Sequence, residues 1–348
     1  TPDFSANMRN STLGDIFDVY VGTPVDRRQE PTEAQLGKYP VVLALHDLRW
    51  TESLANSVKP GALKVGAGTT VTVQNLYLGD DATNARRGYL EVGEGATFNV
   101  TGTTWIGHYP CVKEGSRIVV NGGTFNHTGT SEGVRVGVDA YQAYFDLLSG
   151  TANVSGLFCR REYEVPTDRW ELFSQNGGTL NIGSLGLNGF TRFRPFVELN
   201  NGTVNAAANF DVAPLRSVSF GDTEGGTVDF NIGEKTVNWQ TGLRGKADVN
   251  LKGHGTFTSG VAKNCNKLRF QGVPTGHWTI SNTGVNNLYG AAGFAGGLKL
   301  EEDVMANVKI AGESLVECAF VPGAALNDMV APTACPFVAN DLTTMNIN

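Results

Sequence analysis

Apolar residues in this chain come as pairs separated by one polar position, and the pairs recur. Leu90 and Val92, Ile118 and Val120, Phe145 and Leu147, Val197 and Leu199, and Val249 and Leu251 each mark a short strand of period two. Four to nine residues after such a pair comes a second signal: a Thr, then an apolar residue, then Asn, Asp or Thr, usually followed by another apolar residue. This anchor stands at Thr70, Thr97, Thr124, Thr151, Thr179, Thr203, Thr227 and Thr256, with a degenerate ninth copy starting at His277. Subtracting successive anchors gives steps of 27, 27, 27, 28, 24, 24, 29 and 21 residues. A third apolar pair follows many anchors, as at Leu76 and Leu78, Val134 and Val136, and Leu185 and Leu187. Three short strands joined by Gly, Asn or Asp turns thus fit within each period.

A coil of three such strands has apolar residues on one side only and cannot bury them alone. Stacking one coil on the next encloses a continuous core and pairs each strand with its copies above and below. The pattern predicts an all-β fold, a right-handed parallel β-helix (solenoid) of about nine three-strand coils over residues 61–285. With strands about 4.8 Å apart, that stack would be roughly 38 Å long. Residues 1–60 lack the repeat and are expected to form an N-terminal capping segment over the exposed first coil, with a short helix near Thr32 to Leu36. Residues 286–348 are expected to form irregular final coils or a C-terminal cap, and Asn340 to Asn348 a tail or linker.

Composition sharpens this picture. The chain has 348 residues, 44 Gly against 13 Pro, and a net charge of −7, which suits many tight turns and argues against nucleic acid as a partner. No apolar run is long enough for a transmembrane segment, the first residues do not form a signal peptide, and a start at Thr1 without Met points to a processed chain or an excerpt. The five cysteines show no CxxC pair, so no zinc site is expected, while Cys318 and Cys335 are spaced for a bridge as readily as for free thiols. No cofactor or metal is expected.

Catalytic motifs are weak. Gly79-Asp80-Asp81 and Gly253-His254-Gly255 are similar to motifs of the polygalacturonase family, but about six anchors separate them, near 30 Å at about 4.8 Å per coil. Paired acids must act within roughly 10 Å, so the stretches are expected to be turns. A ladder of Thr97, Thr124, Thr151, Thr179 and Thr203 beside Asn99, Asn126, Asn153, Asn181 and Asn205 should face outward, joined by hydrogen bonds between rungs. A regular Thr array of this kind also suits the ordering of water, as in ice binding, or alignment with a sugar chain. The sequons at Asn10, Asn99, Asn126, Asn153 and Asn201 are then by-products of an Asn/Thr-rich repeat. Candidate ligand-binding residues lie in the longer polar turns: Tyr141, Tyr144, Arg160, Arg161, Tyr163, Trp170, Arg192 and Arg194 combine rings to stack on sugars with guanidinium groups to pair with acids. The competing view makes the arginines a salt-bridged surface.

The units Gly88-Tyr89-Leu90-Glu91-Val92-Gly93-Glu94-Gly95-Ala96-Thr97-Phe98-Asn99-Val100-Thr101-Gly102 and Gly177-Gly178-Thr179-Leu180-Asn181-Ile182-Gly183 resemble the repeats of bacterial autotransporter-type passenger domains and related large β-helical surface proteins. The resemblance implies an exported, extracellular or cell-surface protein. Cysteines, long polar loops and the lack of a visible outer-membrane barrel depart from that pattern. The expectation is a non-enzymatic scaffold, an adhesin or a self-assembling fibre or surface-layer subunit, with end-to-end or lateral self-association and polysaccharide or host cell-surface glycans as possible partners. The alternative is a carbohydrate-active β-helix enzyme, a polysaccharide lyase or glycoside hydrolase, or a carbohydrate-binding module.

Overall fold

A computed structural model describes residues 18–21, 42–50, 61–78, 88–107, 116–129, 133–137, 143–161, 172–189, 197–212, 218–221, 225–239, 243–259, 274–290, 296–301, 304, 306–310, 320–321 and 343–347. Among them there is no helix, and none long and apolar enough to cross a membrane. The fold is an all-β parallel solenoid of about six turns, fewer than nine anchors imply. The difference lies in the later anchors. Thr203 pairs in register with Asp229, two residues past Thr227, and Asp229 with Asn250. Thr256 lies in a different sheet, beside Thr236 and Val285. Thr followed by apolar and polar residues suits any strand with one buried face, so the motif also marks strands on other sides of a coil. The helix expected near Thr32 to Leu36, Cys318 and Cys335 lie outside the described residues.

The chain divides into two compact units. The first holds residues 1–174, 178–180 and 188–190, and the second holds residues 175–177, 181–187 and 191–348.

In the first unit, Thr70, Thr97, Thr124 and Thr151 stand in exact succession on neighbouring parallel strands. Inward positions carry Val71, Phe98, Phe125 and Ala152, all essentially inaccessible. Phe98 and Phe125 are stacked with centroids 6.1 Å apart, and Phe125, Phe145 and Phe173 continue edge to face at 5.4 and 5.3 Å. A continuous aromatic spine replaces the one-sided apolar patch each coil has alone. The first and anchor strands of two coils merge into the 12-residue strands Ser116–His127 and Ala143–Val154, with a register shift near Gly122 and Gly150. Gly122 takes φ +88°, and a Cβ on Gly123 would run into the Gly93 carbonyl and lie 2.7 Å from Val92 Cγ1. The Gly-Gly pair before the anchor Thr therefore bends the strand where a neighbouring backbone passes too close for a side chain. Within residues 1–60, Asp18–Val21 pairs parallel with Ala62 to Val65, and Val42–Trp50 pairs parallel with Thr70–Leu78.

The second unit repeats the design with larger rings. Phe220 lies 5.2 Å from both Trp239 and Trp278, and Phe230 packs edge to face on Trp239 and Phe257. A second sheet runs through Phe210–Val212, Thr236–Trp239, Thr256–Ser259, Val285–Gly290 and Ala306–Ile310 in parallel. Thr343–Ile347, within the stretch read as a tail, instead joins that sheet antiparallel to Ala306–Ile310.

Candidate functional site

Outward side chains in the first unit form files, one residue per rung. Three files differ in chemistry.

The amide file is the expected ladder. Asn99 Nδ2 donates to Thr72 Oγ1 at 3.1 Å, Asn126 to Asn99 Oδ1 at 2.8 Å, and Asn153 to Asn126 Oδ1 at 2.6 Å. Within the second unit Asn205 bonds to Asn181 at 2.7 Å in the same way, and Asn250 to Asp229 at 2.8 Å. These amides are consumed by one another, which makes the file a structural zipper. The amide nitrogens of three sequons, at Asn99, Asn126 and Asn153, are donors in it.

The first-strand wall carries Tyr89, Arg117 and Tyr144 in register, and beside them Lys64, Glu91, Val119 and Asp146. Alternation points all of them outward, yet Asp146 is 1%, Val119 4% and Tyr144 8% exposed. Arg117 Nε pairs with Asp146 Oδ2, and Ser174 Oγ donates to Asp146 Oδ1 at 2.8 Å. Both carboxylate oxygens are thereby held, which is what allows a charged group to be buried. Tyr89 donates its hydroxyl to Glu91 Oε2 at 3.1 Å. Burial first, and then the Glu91 charge, hold that phenol well above its ordinary value. Along the turn that follows, a cavity of about 680 Å³ is lined by Lys64, Val65, Gly66, Ala67, Glu91, Gly93, Glu94, Asn121, Gly122 and Ser149. Ser149 Oγ donates to Asn121 Oδ1 across it at 3.2 Å.

The third-strand file is Trp105, Arg135 and Phe158, again in register from rung to rung, with the backbone of Tyr77 in register before Trp105. Their inward neighbours Leu76, Leu78, Ile106, Val134, Val136, Leu157 and Cys159 are buried. Trp105, Arg135 and Phe158 are half-buried. The Arg135 guanidinium lies 5.4 Å from the Trp105 ring centroid, a cation–π contact. Burial, and then the charge of Arg160, lower the proton affinity of Arg135. Arg160 is also half-buried and sits two residues beyond Phe158 on the same strand, which gives it the same outward parity.

Of the residues singled out in the sequence, Arg160 therefore joins a cluster, whereas Tyr144 stands on the first-strand wall. For Arg161 only the backbone, in the strand Leu157–Arg161, is described. Tyr141, Tyr163, Trp170, Arg192 and Arg194 lie outside the described residues. Trp105, Arg135 and Phe158 leave no periodic signal in the sequence, because residue type changes at each rung. Only aligning third strands by their buried pairs would have put them in one file.

Compared with protein families, with curated proteins and with solved structures, the chain finds no match in any of the three. What the site does must be argued from its own groups. Among the described residues no three His, Cys, Asp or Glu side chains gather as a metal site. Gly253 has φ +138° with the Gly233 carbonyl 2.6 Å from where its Cβ would be, so this glycine is a turn requirement. His254 between Gly253 and Gly255 is exposed and bonds through Nδ1 to Thr283 Oγ1 at 2.6 Å. Asp80 and Asp81 lie outside the described residues.

Proposed function

We propose that this chain is a non-enzymatic β-helical scaffold of an exported or cell-surface protein, acting as an adhesin that lays an extended ligand across successive rungs. The observation that carries this is the specialisation of the outward files. The amide file spends its hydrogen bonds on itself, and the carboxylate of Asp146 is spent on Arg117 and Ser174. The third-strand file presents rings and a guanidinium group in register, the surface an extended polymer can follow. A general acid or base must be within reach of substrate with a proton to exchange, and Asp146, buried and doubly bonded, is poorly suited to that role. At one edge of one sheet Thr343–Ile347 already pairs with Ala306–Ile310 in the antiparallel sense, which removes that edge from parallel end-to-end pairing with a second copy.

The cavity holding Lys64, Glu91 and Glu94 favours a second assignment, a carbohydrate-active enzyme of β-helical type, since two carboxylates and an amine converge on a space able to hold sugar rings. One experiment separates the two. The purified protein is incubated with acidic and neutral polysaccharides while retention, chain length and its own mass by light scattering are followed. Retention without chain shortening supports the adhesin. Progressive depolymerisation establishes the enzyme instead, and ordered filaments of protein alone would replace both with a self-assembling fibre.

A further inference from the structure

We propose that the cavity along the turn after the first strands of the first unit is a binding site for an oligosaccharide of amine-bearing sugars. This rests on the adhesin assignment above and gives it a second contact surface and a ligand class.

Three observations converge. First, the lining comes from four successive rungs, which supply Lys64, then Glu91 and Glu94, then Asn121, then Ser149. Four rungs span three steps of about 4.8 Å, roughly 14 Å, a length that takes several linked rings rather than one. The volume of about 680 Å³ is in the range that holds a ligand of that size. Second, the backbone is bulged here on two successive rungs. Gly93 is in register with both Asn121 and Gly122, and Leu148 is an extra residue where Leu147 and Ser149 pair with the consecutive Val120 and Asn121. Bulges re-aim side chains and are over-represented beside functional sites. This one leaves Leu148 37% exposed next to Ser149, an apolar group beside the polar lining that suits the apolar face of a sugar ring. Third, hydrogen-bonding capacity is graded along the rungs. Glu91 and Glu94 are acceptors alone, and Glu91 already takes the Tyr89 hydroxyl through Oε2. Lys64 stands in register beside Glu91 and offsets its charge, so the exposed carboxylate of Glu94 sets the balance at this end. At the other end Asn121 spends Oδ1 on Ser149, leaving its Nδ2 hydrogens and the Ser149 lone pairs for sugar hydroxyls. An ammonium group thus meets Glu94 while the hydroxyls of the following rings meet Asn121 and Ser149. A uronic acid or sulfated sugar would set like charge against Glu94, and on a protein of net charge −7 the long-range field makes the same choice.

The test titrates the full chain with tetramers of glucosamine, of N-acetylglucosamine and of glucose, followed by calorimetry at mildly acid pH, where the sugar amines are charged. The glucosamine tetramer is expected to bind, and the other two about tenfold more weakly. Glu94→Gln should weaken glucosamine binding about tenfold. Ala67→Phe, at an exposed and uncharged position of the lining, should weaken it as much by filling the cavity. Equal binding of all three tetramers, or correctly folded variants that both bind like wild type, overturns the site. Tetralysine held as tightly as the glucosamine tetramer overturns it too, because charge alone would then explain binding. If an acidic or neutral polysaccharide is retained but the glucosamine tetramer does not bind, this site falls and the adhesin assignment stands, whereas retention of no polysaccharide or oligosaccharide removes both.

Discussion

Asn126 donates its side-chain amide to Asn99 Oδ1 at 2.8 Å, one rung away in the stack. The same residue accepts from Asn153 at 2.6 Å, so two rung contacts depend on it. Asn126→Ala should lower stability by about 1–2 kcal/mol, since each neutral hydrogen bond contributes around 1 kcal/mol net and the stranded partners are only half-buried. Leu148→Ala, at an exposed position, should change it by less than about 0.5 kcal/mol. Urea denaturation midpoints of the two variants check the difference, and equal midpoints would show that the zipper contributes nothing.

Two glycines with positive φ or close neighbours should respond very differently to a methyl group. Gly123→Ala places carbon against the Gly93 carbonyl, 2.7 Å from Val92 Cγ1 and 3.0 Å from the Ala96 carbonyl oxygen, two of them backbone atoms that cannot swing away. Gly233→Ala meets nothing within 4 Å and costs only the left-handed conformation at φ +54°, about 1–2 kcal/mol. Thermal unfolding should rank Gly123→Ala well below Gly233→Ala, or leave it unfolded.

His127 points inward between Val100 and Val154, 2% exposed, with Nδ1 3.0 Å from Ser155 Oγ. Burial lowers its pKa in the folded protein below the ordinary 6.5. As pH falls below that value the unfolded chain binds a proton that the folded chain refuses, so stability declines until the folded-state pKa is reached. Above the ordinary 6.5 the contribution is complete. His127→Val, which continues the valine file, should flatten this segment of the stability profile. An unchanged slope between pH 7 and 5 would place the titration elsewhere.

Arg117→Ala would remove the guanidinium that pairs with Oδ2 of the Asp146 carboxylate, 1% exposed, whose Oδ1 accepts from Ser174. Breaking a fully buried pair from one side costs about 3–5 kcal/mol, and the loss here should be smaller because the Arg117 side chain is 39% exposed. Arg117→Ala combined with Asp146→Val, which matches the in-register Val119, should recover much of that loss. A double variant no more stable than the single one would show that the ion pair is not what the wall depends on.

How much of this was legible in the sequence follows from which residues repeat. The early coils were, because Thr97, Thr124 and Thr151, with Asn99, Asn126 and Asn153, recur at a step of 27 and lie in strict register. Later coils were not, because Thr227, Thr236 and Thr256 all open an apolar–polar alternation, yet Thr236 and Thr256 pair with each other in the second sheet while Thr227 stands in the first. Alternation reports that one face is buried, and every side of a solenoid coil has a buried face. The candidate site was legible only through Arg160. Trp105, Arg135 and Phe158 share a file, but successive residues are 30 and 23 apart and chemically unlike, so nothing in the chain announces that they meet.

The antiparallel strand Thr343–Ile347 bears on how a protein of this kind can change length. Each parallel rung offers the next an edge of the same polarity, so a duplicated repeat fits wherever its neighbours are also repeats. Beyond Ala306–Ile310 that sheet presents a strand running the opposite way, which no copy of the repeat matches. A repeat inserted between two parallel rungs keeps that polarity on both sides, whereas one set beside Thr343–Ile347 would meet a neighbour of the opposite sense.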